Sequence, residues 1–125
     1  MAAPIAVFVY GTLRRGGKNH ALLQNARFLG MAKTKEQYAL YRHDFLYLYK
    51  HERISQIIGE LYEVNAATLA ALDELEGHPD EYKREVIQVI TEDGTERDAW
   101  IYFYPHKIGK LKVHSLEGCF ENLVK

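Results

Sequence analysis

The sequence predicts an α+β domain: a small, mixed but mostly antiparallel β-sheet that curls toward a barrel and is flanked by helices. Strand-like segments outnumber helix-like ones along the chain. Two of them, residues 84–91 and 97–105, are joined by the sequence EDGT, and an Asp-Gly turn between apolar runs is typical of a β-hairpin. Hairpins favour an antiparallel or mixed sheet over alternating βαβ units. The length of 125 residues suits one domain, so residues 1–125 are expected to form a single unit.

The predicted N-terminal elements are a strand, a loop and a short helix. Residues 5–10 are rich in valine, isoleucine and aromatic side chains and carry no charge, which indicates a strand buried on both faces. A glycine-containing loop follows at residues 11–17. Asn19 can then cap a short helix that carries Leu22 and Leu23.

Two further strand regions come before the main helix. Residues 36–50 loosely alternate apolar and polar side chains, which predicts one or two strands. Residues 55–64 form a clearer strand, and Gly59 inside it suggests a bulge or a close approach by another backbone. Beyond residue 106 the pattern is weak, and it predicts no element.

The main predicted helix runs from residue 66 to residue 76. Asn65 is a natural N-cap, the alanines and leucines are strong helix formers, and Gly77 followed by Pro79 supplies a stop. At about 100° per residue, one side of this helix gathers the apolar side chains. The stripe expected to be buried contains Leu69, Leu72 and Leu75.

Glu76 is the acidic residue of this helix that is expected to point inward. It falls within the leucine stripe, whereas Glu74 points to the opposite side and Asp73 lies at the edge. Burial and the negative end of the helix dipole would both raise the pKa of the Glu76 carboxyl. A carboxyl that titrates near neutrality suits proton transfer. The angles leave open that the last turn frays, or that Glu76 pairs with Arg84 or another cation.

Composition and charge favour a small-molecule partner. The chain carries 16 basic and 17 acidic side chains, and its formal net charge of -1 provides no field for binding nucleic acid or a membrane surface. The apolar run near the N-terminus has strand length and no basic segment before it, so neither a signal peptide nor a membrane span is expected. These features predict a cytoplasmic protein with no nucleic-acid or membrane partner.

The cysteine and the histidines offer weaker candidates. The single Cys119 excludes an intramolecular disulfide and fits a reducing compartment, and an inert thiol is favoured over a nucleophile. The six histidines lack the spacing of metal ligands, so no metal is expected. His78 follows Glu76 closely, but in a GHP turn an exposed position is favoured over a role in a site.

The loop after the first strand resembles a phosphate loop only in part. The spacing of Gly11 and Gly16 fits, but Gly17 stands where the lysine belongs and Asn19 where a hydroxyl belongs, which argues against a nucleotide site. A glycine directly after a buried strand can nonetheless expose amide groups that bind an anion such as a carboxylate. A plain strand-to-helix connection is the alternative.

Two motifs in this order, VFVYGTLRRGGKNH at residues 7–20 and LDELEGHPDEYKRE at residues 72–85, resemble the gamma-glutamylcyclotransferase-like family. The family includes gamma-glutamylaminecyclotransferase, and the resemblance extends over residues 5–104. It implies a small mixed barrel with flanking helices and no cofactor. It also implies a catalytic acid/base at Glu76 and a group of substrate-binding or supporting residues, which are Tyr10, Gly11, Thr12, Leu13, Asn19 and Tyr82.

The implied reaction is the cyclisation of a gamma-glutamyl amide. The α-amino nitrogen attacks the side-chain carbonyl, the ring closes to 5-oxoproline, and the amine or amino acid departs. Such chemistry needs a base for the α-ammonium group, which the resemblance assigns to Glu76. The competing hypothesis is a non-catalytic small-ligand-binding protein that keeps the same fold and pocket.

One segment departs from the family pattern. Where many relatives have a proline and smaller residues, residues 41–55 carry Phe45, Tyr47, Tyr49 and Lys50. We expect this segment to line the side of the pocket that receives the leaving amine. The identity of that amine and the oligomeric state therefore stay open at the level of sequence.

Overall fold

The computed structural model describes residues 5–10, 23, 26–42, 46–106 and 110–113. Within these ranges the chain forms eight strands and one helix. In chain order they are β1 Ile5–Val9, β2 Arg27–Thr34, β3 Ala39–Arg42, β4 Leu46–Tyr49, β5 Ile58–Val64, α1 Ala66–Glu76, β6 Lys83–Thr91, β7 Glu96–Phe103 and β8 Lys110–Val113. No helix in these ranges is long and apolar enough to cross a membrane.

Five of the strands close into a barrel in the order β1-β5-β2-β6-β7. All neighbouring pairs are antiparallel except β1 and β7, which meet in parallel at Val7 and Trp100 and so close the ring. Strands β4, β3 and β8 form a second, antiparallel sheet in that order. The predicted α+β class with a mostly antiparallel, barrel-like sheet is confirmed.

Two hydrophobic clusters lie on the two faces of the barrel wall. Side chains alternate across a strand, and along β1 Phe8 belongs to one cluster while Val7 and Val9 belong to the other. The first cluster draws residues from all five barrel strands and fills the interior. The second holds Leu72 of α1, so the helix packs on the outside of the barrel. This explains why β1 has no charged residue on either face.

Gly59 marks a close approach between β5 and β1. A Cβ atom at this position would lie 2.5 Å from the carbonyl oxygen of Val9 and 2.6 Å from the ring of Phe8. A side chain therefore cannot be placed there without moving the backbone of β1. The expected close approach is confirmed, and it lies at the end of β1 that leads to Tyr10.

Several predicted elements are confirmed. The EDGT turn joins β6 and β7, residues 36–50 contain the two strands β3 and β4, and α1 has the predicted bounds. Strand β5 begins at Ile58, later than predicted, while Ser55 makes an isolated bridge to Tyr38. Of the short helix expected after Asn19, Leu23 lies in the described ranges and is buried.

Two strands were not predicted, and one helix residue was placed wrongly. Strand β2 contains Gly30, and its glycine, alanine and lysine residues have low strand propensity, while β8 lies in the weakly patterned tail. Leu75 was expected to be buried but is 42% exposed. The buried side of α1 centres between Leu69 and Leu72, because the barrel contacts the helix on that side alone. Glu76 thereby lies closer to the middle of the buried face than predicted.

Candidate active site

The last turn of α1 is closed at a defined residue. The Asn65 side chain caps the N-terminus by accepting a hydrogen bond from the Thr68 amide at 2.8 Å. At the other end Gly77 adopts a left-handed conformation with φ of 67°. Its amide donates to the Glu74 carbonyl at 3.3 Å, and the His78 amide donates to the Asp73 carbonyl at 2.9 Å, which is a Schellman motif. The helix therefore ends at Glu76 without fraying.

Glu76 lies half-buried at this helix end. Its carbonyl accepts a hydrogen bond from the Tyr82 amide at 3.1 Å, so the following segment folds back over it. Burial raises the pKa of the Glu76 carboxyl to about 7, and the nearby carboxylate of Glu81 acts in the same direction. This direction agrees with the expectation from the sequence, and Glu81 adds a cause that the helix angles did not reveal.

Three tyrosines respond to the charge of Glu76. Burial raises the pKa values of Tyr10, Tyr82 and Tyr102, and in each case the Glu76 carboxylate adds to the effect. The three phenol groups therefore lie within range of the electrostatic field of the Glu76 carboxylate. They stay neutral, as hydroxyl groups that can donate or accept hydrogen bonds.

Tyr10 connects three strands beside the site. Its buried hydroxyl donates a hydrogen bond to the Tyr102 carbonyl at 2.7 Å and accepts one from the Leu48 amide at 3.1 Å. Tyr10 directly follows β1, Leu48 belongs to β4 and Tyr102 belongs to β7. The side chain therefore fixes the point where the chain leaves the barrel toward residue 11.

Tyr82 belongs to a row of packed aromatic rings that we name the tyrosine wall, formed by Tyr47, Tyr82 and Tyr104. The ring of Tyr104 lies 5.2 Å from that of Tyr82 and 5.0 Å from that of Tyr47, measured between centroids. His106 contacts the same Tyr104 ring at 5.8 Å. The wall extends the surroundings of Glu76 toward the second sheet.

The tyrosine wall includes part of the segment that departs from the family pattern. Tyr47 of that segment is fully buried in the wall. Lys50 instead pairs with Glu85 at 2.6 Å on the surface. Phe45 lies outside the described residues. The Leu48 amide of this segment bonds to the Tyr10 hydroxyl, and Tyr49 packs edge-on against Tyr41. That the segment lines the side of the pocket for the leaving amine stays a prediction.

Asp73 lies one turn before Glu76 and has different partners. Its Oδ1 atom accepts a hydrogen bond from Arg84 Nε at 2.8 Å and another from the Tyr102 hydroxyl at 2.7 Å. Burial alone would raise the pKa of Asp73, but these two hydrogen bonds outweigh it and lower the pKa. The Arg84 guanidinium also lies over the Trp100 ring, 4.2 Å from its centroid. Arg84 therefore pairs with Asp73, and not with Glu76 as one alternative supposed.

The described residues bring together part of the predicted site. The Tyr82 amide bonds to the Glu76 carbonyl, and the Glu76 carboxylate raises the pKa of the Tyr10 and Tyr82 phenols. The remaining predicted positions, Gly11, Thr12, Leu13 and Asn19, lie outside the described residues, as does Cys119. The proposed role of the loop amides therefore remains a prediction.

Sequence reasoning missed Asp73, Arg84 and Tyr102. Asp73 had been placed at the edge of the helix stripe because Leu75 was counted as buried. With Leu75 exposed, Asp73 falls on the buried side together with Glu76. Arg84 and Tyr102 are cross-strand partners in β6 and β7. This pairing could have been found from the hairpin register, since residues opposite each other share a face.

In the described part of the chain, no group of three or more His, Cys, Asp or Glu side chains could hold a metal ion.

Comparison with known proteins identifies the family of this chain. A family model described as gamma-glutamyl cyclotransferase, AIG2-like, matches residues 7–121. A relative from Methanocaldococcus jannaschii, provisionally named a gamma-glutamylcyclotransferase, is 50% identical over 106 residues, which cover 84% of this chain and 88% of that protein. Gamma-glutamylaminecyclotransferase A from Danio rerio is 36% identical over 109 residues, which cover 78% and 68%. The crystal structure of an AIG2-like protein from Mus musculus superposes with a TM-score of 0.73 at 27% identity, covering 87% of this chain and 89% of that one.

Proposed function

The chain belongs to the gamma-glutamyl cyclotransferase, AIG2-like family, and from this premise we propose that it converts a gamma-glutamyl amide into 5-oxoproline and a free amine or amino acid. Family membership supports an enzyme of the gamma-glutamylcyclotransferase type. The observation that carries the proposal is the half-buried Glu76 carboxyl with its pKa near neutrality. We assign to it the roles of general base and general acid.

The proposed reaction transfers two protons from the attacking nitrogen to the leaving nitrogen and exchanges one carbon–nitrogen bond for another. The α-ammonium group of the substrate gives a proton to the Glu76 carboxylate and becomes a nucleophile. Its nitrogen attacks the side-chain carbonyl carbon and forms the five-membered ring. The bond to the leaving nitrogen then breaks as the Glu76 carboxyl gives its proton to that nitrogen. The ring nitrogen loses its second proton as the lactam forms, and the released amine takes up this proton and departs as an ammonium ion. A group with a pKa of about 7 can hold and release a proton with nearly equal ease at neutral pH.

The two carboxyls on the buried side of α1 differ in their suitability for this role. Asp73 accepts hydrogen bonds from Arg84 and Tyr102, so it stays a carboxylate across the neutral range. Glu76 is made harder to ionise by burial and by Glu81. When two neighbouring carboxyls have pKa values moved in opposite directions, the one with the raised value is the better proton carrier.

Substrate binding is proposed for the turn after β1. Backbone amides of Tyr10, Gly11, Thr12 and Leu13 would hold the substrate carboxylate or the developing oxyanion, with Asn19 and Tyr82 as supporting residues. Tyr10 supports this because its two hydrogen bonds fix the start of that turn next to β4 and β7. Folding the glutamyl chain so that its amino group meets its own carbonyl would supply much of the remaining acceleration.

Three further properties are proposed: the absence of a cofactor, the cellular compartment and the place of the leaving amine. Proton transfer and acyl transfer need no redox group, so we propose a reaction that needs no cofactor. The lone Cys119 suits a reducing compartment, and we expect the activity in the cytoplasm. The tyrosine wall is proposed to border the place of the leaving amine, because Tyr82 lies in the field of the Glu76 carboxylate and packs on Tyr104, which in turn packs on Tyr47.

The test is to incubate the full chain with gamma-glutamyl-ε-lysine, gamma-glutamyl dipeptides and glutathione and to measure 5-oxoproline. We expect turnover of at least one of these compounds. Glu76→Gln should reduce kcat by a factor of about 10² to 10⁴, the usual contribution of a general acid or base. Glu74→Gln is the matched control, because Glu74 is exposed on the other side of the same helix. Full activity in Glu76→Gln would refute the assignment of the base, and binding of all three compounds without turnover would favour the non-catalytic alternative.

A further inference from the structure

Two carboxyls and one cation lie near the C-terminal end of α1. Asp73 and Glu76 stand three positions apart, a spacing that brings their Cβ atoms within about 5–6 Å on one helix face. Arg84 lies beside the same end of the helix, because its amide donates to His78 Nδ1 at 3.2 Å in the turn that follows Glu76. A guanidinium carries five donors and binds carboxylates readily. The carboxyl that binds this guanidinium has its pKa lowered by it.

Three contacts support the pairing of Arg84 with Asp73. Arg84 Nε donates to Asp73 Oδ1 at 2.8 Å, and the ring of Trp100 lies under the guanidinium at 4.2 Å. The hydroxyl of Tyr102, the cross-strand partner of Arg84, donates to the same Oδ1 atom at 2.7 Å. The Arg84 and Asp73 side chains are 19% and 21% exposed. Shielded pairs of this kind resist screening far better than pairs in open solvent.

A surface pair in the same barrel shows the contrast. Lys35 and Glu96 form an ion pair at 2.9 Å, but their side chains are 43% and 48% exposed. Such pairs contribute little and exchange partners easily. The Asp73–Arg84 pair has less than half that exposure and further contacts to both partners. The Asp73–Arg84 pair is therefore expected to hold the Arg84 guanidinium in a single position.

We propose that Asp73 is a positioning residue for the acid/base glutamate: it binds the Arg84 guanidinium and so prevents this cation from pairing with Glu76. The proposal rests on the proposed function for its catalytic consequence. Through Tyr102 the same carboxylate also attaches the last turn of α1 to β7. Asp73 acts through Arg84 and needs no contact with the substrate.

The other charged and titratable groups around Glu76 are consistent with this role. Among the described residues, those that act on Glu76 or adjoin it are Asp73 on α1, His78, Glu81 and Tyr82 in the segment after it, Arg84 on β6, Tyr10 after β1 and Tyr102 on β7. The phenols are neutral, and Glu81 raises the pKa of Glu76. Arg84 is the cation of this set whose release would lower that pKa.

The first experiment replaces Asp73 and follows the carboxyl carbon of Glu76 by NMR over pH. In Asp73→Asn, which keeps the shape of the side chain and removes its charge, Arg84 is free to pair with Glu76. The pKa of Glu76 should then fall by at least about one unit, as expected for a carboxyl next to an arginine. If the enzyme turns over its substrate, the acidic limb of kcat/KM should move down by the same amount.

A second variant separates this role from a merely structural one. In the double variant Asp73→Asn/Arg84→Gln the Arg84 cation is absent, so the titration of Glu76 should return to that of the unchanged protein. General loosening of the helix end would not be reversed by a second substitution. An unchanged Glu76 titration in Asp73→Asn, or a lowered one that persists in the double variant, would overturn the proposal.

A measurement on the unchanged protein covers the case in which Asp73→Asn does not fold. The Arg84 Nε–H resonance should follow the titration of Asp73 at acidic pH and should not respond near pH 7, where Glu76 titrates. A response of this resonance that follows Glu76 would overturn the proposal. The NMR readouts do not depend on turnover, so failure of the proposed enzymatic function and failure of this inference are distinguishable.

Discussion

Acidic side chains stand at both ends of the β6–β7 hairpin, but their surroundings are opposite. At the turn, Asp93 is exposed and accepts hydrogen bonds from the Thr91 hydroxyl and the Thr95 amide, which lower its pKa to about 2. At the open end, next to α1, burial raises the pKa of Glu76 to about 7. Hydrogen-bond donors stabilise the ionised form of an exposed carboxyl, whereas burial away from water destabilises the ionised form. The Asp93 carboxylate accepts hydrogen bonds that hold the turn, whereas Glu76 at the helix end has the raised pKa expected of the proposed acid/base.

The same two regions each contain a glycine in the left-handed conformation. Gly77 closes α1 with φ of 67°, and Gly94 makes the hairpin turn with φ of 85°. A Cβ atom on Gly77 would lie 3.1 Å from the side chain of Glu81, but one on Gly94 would meet nothing within 4 Å. The helix end is packed against its neighbours, and the turn stands in open space. Substitutions at matched positions can therefore test how far the contrast extends.

The largest expected effect is on the pH dependence of catalysis. If Glu76 must be ionised to accept the proton, kcat/KM should fall about tenfold per pH unit below the pKa of about 7. Asp93→Asn, at the other end of the hairpin, should leave both the profile and the rate unchanged. Initial rates of 5-oxoproline release across pH measure both. A profile without a break near neutrality would contradict the role of Glu76.

The next effect concerns stability, and its sign follows from the raised pKa. The Glu76 carboxyl has an ordinary pKa of 4.5 and a folded value of about 7, so the folded protein binds the proton more tightly than the unfolded chain. The contribution of Glu76 to the free energy of unfolding is therefore most favourable below about pH 4.5. It decreases as the pH rises to about 7 and changes little above that. Glu76→Gln lacks this cost, and above pH 7 it should be more stable than the unchanged protein by on the order of 2 kcal/mol.

Urea unfolding at several pH values measures this difference. The gain of Glu76→Gln should shrink toward zero as the pH falls from neutral to about 4. Asp93 contributes in the opposite direction. Because its pKa is lowered from 3.8 to about 2, it stabilises the folded state above about pH 3.8, and this contribution disappears toward pH 2. Asp93→Asn should therefore be less stable than the unchanged protein at neutral pH, and the difference should vanish in acid. A stability gain in Glu76→Gln that is independent of pH would contradict the raised pKa.

The matched glycines provide a smaller effect. Alanine in the left-handed conformation costs about 1–2 kcal/mol, and both Gly77→Ala and Gly94→Ala should lose stability by about this amount. Gly77→Ala should lose more, because its new methyl group would press on Glu81. Thermal unfolding of the two variants under one set of conditions gives the comparison. Equal losses would mean that Glu81 moves aside freely.

The smallest effect is expected at the far end of α1. Asn65→Ala removes the hydrogen bond to the Thr68 amide and should cost about 1 kcal/mol. The pKa of Glu76 should not change, because the Schellman motif closes the opposite end of the helix by itself. Chemical unfolding and the NMR titration of Glu76 check the two parts. A shift in the Glu76 titration would show that the whole helix moves when its first turn loosens.

Elements with strong local signals could be predicted from the sequence. The Asp-Gly turn predicts the β6–β7 hairpin, and Asn65 with Gly77 predicts both ends of α1, because capping and turn formation need only neighbouring residues. Strand β2 could not be predicted in this way. Its Gly30 and Ala32 do not favour a strand by themselves, and it forms because β5 and β6 pair with it on both sides.

Local sequence determined that Glu76 ends a capped helix and shares a side with Leu69 and Leu72, because the helical period alone sets these angles. Only the tertiary structure decided which carboxyl receives Arg84. That choice depends on the pairing of β6 with β7, which places Arg84 opposite Tyr102 and brings both to Asp73. The hairpin register accounts for Arg84 opposite Tyr102, but their contact with Asp73 depends on how α1 packs against the barrel, which no short-range pattern records.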